Sequence, residues 1–225
     1  KNEYYEPIVA DINNLRVFIY SVKSHIDMMN YFLRISEVYI FDCFLGSAAK
    51  NVTIDDFINW NLILGHENYY QTNYYGLFMP DYHITQFYKT FSNSFTKEEK
   101  SVLKQLVLHE CIVANGKKCD KTRQFAIIVI NEELCKTMGE TKEIILIHEL
   151  SHALYRANKS YRTFINRVYD KTGVAYQTIM STQLAERYNN MSDRLEDEWA
   201  AYILDDSLQL SKFKKYSEID LKRVT

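Results

Sequence analysis

The chain has 225 residues, 47% of them apolar, enough to build the core of one large domain or two small ones. Against 29 acidic side chains stand 27 basic ones, and the net charge of −2 leaves no global field that would recommend nucleic acid or an anionic membrane surface as a partner. The longest apolar runs, such as Ile144-Ile145-Leu146-Ile147, stop far short of the roughly 20 residues that span a bilayer, so no membrane span is expected.

The N-terminus, Lys1-Asn2-Glu3-Tyr4, has neither an initiator Met nor an apolar signal core, so export is not legible from it. Cys43, Cys111, Cys119 and Cys135 form no CxxC pair, which argues against a cysteine-bound zinc. They are expected as free thiols, Cys111 and Cys119 being the pair most able to close. With 18 Tyr and 12 Phe but only 6 Gly and 2 Pro, regular structure with few sharp turns should dominate, mostly helix.

In chain order, Ile8, Ile12, Leu15, Phe18, Ile19, Val22, Ile26, Met29, Phe32 and Leu33 recur at threes and fours, predicting helix from Pro7 to about Leu45. Thr53 can cap a second helix to Leu64, with Asp55 and Asp56 favourable in its first turn and Gly65 at its end. Glu67 to His83 reads as an irregular aromatic stretch. Thr96-Lys97-Glu98-Glu99 is a capping box, placing a helix over Lys97 to Glu110. Asn115-Gly116 marks a turn, and Gln124 to Ile130, rich in β-branched residues, reads as a strand. A short helix over Glu132 to Lys136 follows, then Gly139, then a helix opening at Thr141. Helical patterns continue at Tyr161 to Tyr169, Val174 to Tyr188 and Ser192 to Leu208. The expected fold is α+β and predominantly α-helical with a small sheet, divided into a helical N-terminal region at 1–110 and a second region at 111–225, or else one continuous domain.

Within the Thr141 helix, His148-Glu149-Leu150-Ser151-His152 places two imidazoles at i and i+4 on one face, close enough to ligate a single ion. Glu149, one position round, can take a proton from a water in the open fourth position, the role of a general base. Ile144, Ile145, Ile147, Ala153 and Leu154 flank the motif, so it should lie on a buried helix, where two histidines and a glutamate without a metal would be costly. The other histidines, His25, His66, His83 and His109, have no ligand spacing between them.

A catalytic zinc needs a third protein ligand. Neither Glu nor His occurs between His152 and Glu186, and Tyr155 and Asn158 stand where a metzincin would need Gly and His. The later carboxylates stay open, among them Glu186, Asp193, Glu196, Asp197 and Glu198. Glu196 and Glu198 would point about 200° apart on a helix, so only one can face the metal and the others would be solvated or would orient the histidines.

The pair of motifs, His148-Glu149-Leu150-Ser151-His152 and Glu198-Trp199-Ala200-Ala201, resembles the gluzincin zinc metallopeptidases, most of all the anthrax lethal factor-like group. The likeness runs from about Arg123 to Leu208. It implies a zincin-like fold, zinc held by His148, His152 and Glu198, and a protein or peptide substrate. It also implies that Phe125 to Ile130 is a substrate-binding edge strand, with Ile128 and Val129 beside an extended peptide. In that group a Tyr shortly before the ligand Glu donates to the oxyanion; Tyr188 is nearest here, three residues further away, and Tyr176 comes next. An acidic residue four positions after the ligand is usual there, whereas this chain has Tyr202. Toxin and effector proteases use this scaffold, so secretion or delivery into a host cell is what the resemblance suggests. A di-iron carboxylate centre is excluded by the lack of a second Glu-x-x-His. The rival reading is a non-catalytic helical binding protein that retains a zincin fold, distinguishable by metal content and by tolerance of Glu149→Gln.

Overall fold

The computed structural model describes residues 5–12, 14–38, 53–63, 75–120, 123–139, 141–175, 177–178, 181–182 and 195–205. The chain divides into two units, Lys1–Lys142 and Glu143–Thr225. The fold is α+β. In the first unit lie β1 (Ile8–Ile12), β2 (Leu15–Val22), α1 (His25–Ser36), α2 (Ile54–Ile63), β3 (Gly76–Pro80), α3 (Asp81–Phe91), α4 (Lys97–Leu108), β4 (Gln124–Asn131) and α5 (Glu132–Met138). Helix α6 (Lys142–Ala157) begins where that unit ends, and α7 (Lys159–Asp170) and α8 (Leu195–Asp205) follow.

One mixed sheet, in the order β1-β2-β4-β3, organises the first unit. β1 runs antiparallel to β2, β2 parallel to β4, and β3 antiparallel to β4. Phe18, Tyr20 and Val22 of β2, Met79 of β3, and Phe125, Ile127 and Val129 of β4 share one core with Phe32 and Ile35 of α1, Phe87 and Phe91 of α3, and Val102 and Leu106 of α4. The helix expected from Pro7 is therefore a hairpin followed by a helix. Leu15 to Val22 is β-branched and aromatic, and its apolar positions satisfy a period of two as well as three to four. Pairing with β4 over eight residues decides between them.

β4 corrects two further expectations. From Phe125 to Asn131 it is buried throughout, as in a strand covered on both faces, and it hydrogen-bonds β2 on one side and β3 on the other. It is an internal strand. Ile128 pairs with Ile19 and Phe78, Val129 with Tyr20 and Leu77, so neither offers a free backbone edge to a peptide. Among the described residues the edges of the sheet are β1 and β3. Because β4 belongs to this sheet, the boundary expected at residue 110 falls inside the first unit, which ends at Lys142.

The capping box at Thr96 forms as the sequence predicts: Thr96 Oγ1 accepts from the Glu99 N–H at 3.1 Å and Glu99 Oε2 from the Thr96 N–H at 2.8 Å. Glu99 also closes a buried ion pair. Arg34 of α1 donates through Nε to Glu99 Oε1 at 2.7 Å and through Nη2 to Oε2 at 2.6 Å, gives a further Nη2 bond to the Ser94 carbonyl at 2.9 Å, and lies over the Phe91 ring. One bidentate pair thus ties α1 to the start of α4.

The expected α2, β4, α5 and α6 are observed within a residue or two, and α7 extends from Lys159 rather than Tyr161. Part of the aromatic stretch is regular, since Gly76–Pro80 is β3 and Asp81 begins α3; residues 64–74 lie outside the described residues. Of the helix expected over 174–188, residues 174–175, 177–178 and 181–182 are described and helical. Cys111, Cys119 and Cys135 are not disulfide-bonded, and Cys43 is outside the described residues. Among the described residues no helix is long and apolar enough to cross a membrane.

Candidate metal centre

The second unit holds the histidine pair. α6 carries His148 and His152 one turn apart, their Nε2 atoms 3.2 Å from each other and their rings nearly perpendicular. Asn158 ends this helix and caps the next, its side chain accepting from the Tyr161 N–H. A second core sets α8: Ile165 and Tyr169 of α7 pack with Trp199, Ala200 and Tyr202 of α8, Tyr169 meeting Trp199 edge to face. Trp199 fills the core as its size suggests, whereas Ile203 of the same helix is exposed.

That packing brings Glu198 to the histidines, Oε2 lying 3.7 Å from His152 Nε2 and 4.0 Å from His148 Nε2. With the 3.2 Å side between the imidazoles, these atoms form a triangle whose centre is roughly 2.1 Å from each corner, the length of a zinc–nitrogen or zinc–oxygen bond. Among the described residues, this is the one group of His, Cys, Asp and Glu close enough to hold an ion. Glu198 Oε2 is buried with no hydrogen-bond partner, an arrangement that costs free energy unless a cation completes it. Two nitrogens and a carboxylate oxygen suit zinc better than the hard cations calcium and magnesium, which prefer oxygen alone. The residues present fit such an ion.

The surrounding charges are dense. His152, 7% exposed, would lose its proton more readily through burial, but its Nδ1 meets Asp197 Oδ1 at 2.8 Å and Glu198, Asp197 and Glu149 surround it. Those carboxylates win and lift the imidazole to about 9. Burial pushes the Glu149 carboxyl above the usual range; the two imidazoles pull it back, while Glu198 and Asp197 push it further up. His148 carries the Tyr202 ring edge-on at 4.7 Å. Behind the motif, buried Ser151 shares a hydrogen bond with the Tyr161 hydroxyl at 3.1 Å.

Of the open carboxylates, the structure brings Glu198 to the histidine pair and leaves Glu196 half-buried outside the triangle. Glu186, Asp193, Tyr176 and Tyr188 lie outside the described residues. Sequence reasoning leaves Asp197 open between a ligand, a solvated acid and an acid that orients a histidine, and the structure sets it on the far nitrogen of His152; Tyr202 on the His148 ring is a neighbour it does not assign. Their signal was present in the sequence, since a helix that delivers Glu198 must carry residues 197 and 202 into the same neighbourhood. No protein-family model, curated protein or solved structure matches the chain.

Proposed function

We propose that this chain is a zinc-dependent endopeptidase of gluzincin type with a zincin-like fold, most like the anthrax lethal factor-like group, acting on a protein or peptide substrate. The observation that carries the reading is the triangle of His148, His152 and Glu198, with an orphaned carboxylate oxygen at one corner and Glu149 next to another. A purely structural histidine pair gives no reason to aim a buried carboxylate oxygen at two imidazole nitrogens and leave it without a hydrogen bond.

In this reading His148 Nε2, His152 Nε2 and Glu198 Oε2 hold the ion. When bound, zinc supplies a Lewis acid that brings the pKa of a coordinated water near neutrality and polarises a carbonyl. Glu149 then accepts the proton of the attacking water on its carboxylate and delivers it to the departing amine. Burial favours the second half of that task, because it raises the carboxyl's affinity for a proton, and the neighbouring positive charge favours the first. Tyr188 is the proposed donor to the oxyanion.

The test joins metal content to cleavage. The wild-type chain should carry about one zinc ion, and mapping of new N-termini in a protein mixture should show cuts that disappear in His148→Ala with His152→Ala. A zinc content near zero after mild purification, or the same new N-termini from the double variant, would overturn the reading.

A further inference from the structure

We propose that Asp197 is a positioning residue that fixes the metal-ligating tautomer of His152, so that the orienting carboxylate comes from the residue just before the ligand glutamate. The inference rests on the reading of His148, His152 and Glu198 as a metal centre.

A neutral imidazole has one N–H and one lone pair, and only the nitrogen with the lone pair can bind a metal. Asp197 Oδ1, a carboxylate oxygen 2.8 Å from His152 Nδ1, accepts a hydrogen bond there and so holds the proton on Nδ1. The lone pair is left on Nε2, the nitrogen that faces Glu198 Oε2 at 3.7 Å and His148 Nε2 at 3.2 Å. One turn of α8 therefore grips both ends of the same ring, Asp197 behind it and Glu198 across the site in front. Neither His152 nor Asp197 is well exposed, their side chains being 9% and 19% accessible, so water screens the bond weakly.

The position four residues after Glu198 is committed differently. Tyr202 is buried, and its ring meets the His148 ring at 4.7 Å with an interplanar angle of 71°, so it contributes packing there and no carboxylate.

Zinc and cobalt(II), added to the metal-free full-length chain, test the idea. Competition with a chromophoric chelator should show zinc binding on the order of 10–100-fold weaker in Asp197→Ala. Asp197→Asn, which keeps an accepting oxygen and the side-chain shape, should lose less. In the cobalt form the Nδ1 proton of His152 should give a paramagnetically shifted, slowly exchanging resonance, and in Asp197→Ala it should move and exchange rapidly with water. A wild-type chain that binds neither ion overturns the metal-centre reading and this inference with it. Wild-type binding with unchanged affinity in both variants, or weakened affinity with the His152 resonance unmoved, overturns the positioning role alone.

Discussion

Two buried glutamates, one in each unit, are handled in opposite ways. Glu99 is 1% exposed and Glu198 7%, and both lie in the first turn of a helix, where the dipole favours negative charge. Glu99 is closed off: Arg34 reaches both its oxygens and the Thr96 N–H adds a third bond. Glu198 has a buried oxygen with no hydrogen bond, facing two imidazole nitrogens at 3.7 and 4.0 Å. Burial of a carboxylate is therefore not what marks the candidate site. The mark is a buried oxygen aimed at two imidazole nitrogens without a hydrogen bond, which a closed ion pair has no reason to leave.

The largest expected effect separates chemistry from binding within the open cluster. Glu149→Gln keeps the shape of the side chain but cannot accept a proton, so cleavage should fall on the order of a thousandfold or more. Zinc content and thermal unfolding should stay at wild-type values, because the three ligand atoms are untouched. Cleavage rates matching wild type in the sequence-verified variant would remove Glu149 from the mechanism.

The closed glutamate should respond in stability alone. Glu99→Ala strands the Arg34 guanidinium, 4% exposed, without its partner, and also removes half of the α4 capping box. Breaking a buried pair from one side costs about 3–5 kcal/mol, read as a lower urea midpoint at unchanged slope. A loss of under about 1 kcal/mol would mean that Arg34 finds water or another acceptor, and that the pair is less closed than its geometry indicates.

The two glutamates also differ in how far the sequence announced them. The capping box of Glu99 is a local pattern and was legible to the residue, but its partner Arg34, 65 positions earlier, was not. The histidine pair and Glu149 were legible because helical spacing alone puts them together. Glu198 needed a resemblance, since nothing local separates it from Glu196 or Asp197. Asp197 stayed open between a solvated acid and one that orients a histidine, because nothing local says which ring it will reach. The sheet was misjudged for the same reason: pairing is non-local. Period could not tell β2 from helix, and no pattern within β4 says that β3 will cover the side expected to be free.

Metal addition sharpens the comparison further. A zinc concentration about a hundredfold above its dissociation constant should stabilise the folded chain by about 2.7 kcal/mol. The pH dependence then differs between the two states. In the metal-free chain His152 is held at about 9, above its ordinary 6.5, so its interaction with Asp197 and Glu198 is fully present below about 6.5 and lost as pH rises through about 9. Zinc must displace that proton, so its contribution grows as pH rises over the same window. Melting curves with zinc and with chelator should diverge from pH 6.5 to 9. Parallel curves would show that the ion does not compete with the proton on His152.

The smallest expected effect is the most direct comparison with Glu99. Replacing Glu198 by Met in the metal-free chain removes a buried carboxylate oxygen that makes no hydrogen bond and fills its place with an apolar side chain of similar length. Two terms oppose each other. Relief of the unsatisfied buried acceptor favours the variant, while loss of the negative charge 3.7 Å from the His152 imidazole disfavours it, with Asp197 still in place on the other nitrogen. The net change should lie within about 1 kcal/mol of zero, in contrast to the several lost at Glu99. With zinc present the same variant should lose most of the metal-induced stabilisation, because one corner of the triangle is gone. Chemical denaturation of wild type and Glu198→Met, each with and without zinc, gives the four values needed. A metal-free loss as large as that of Glu99→Ala would make Glu198 a structural member of its unit, and the contrast between the two glutamates would fail.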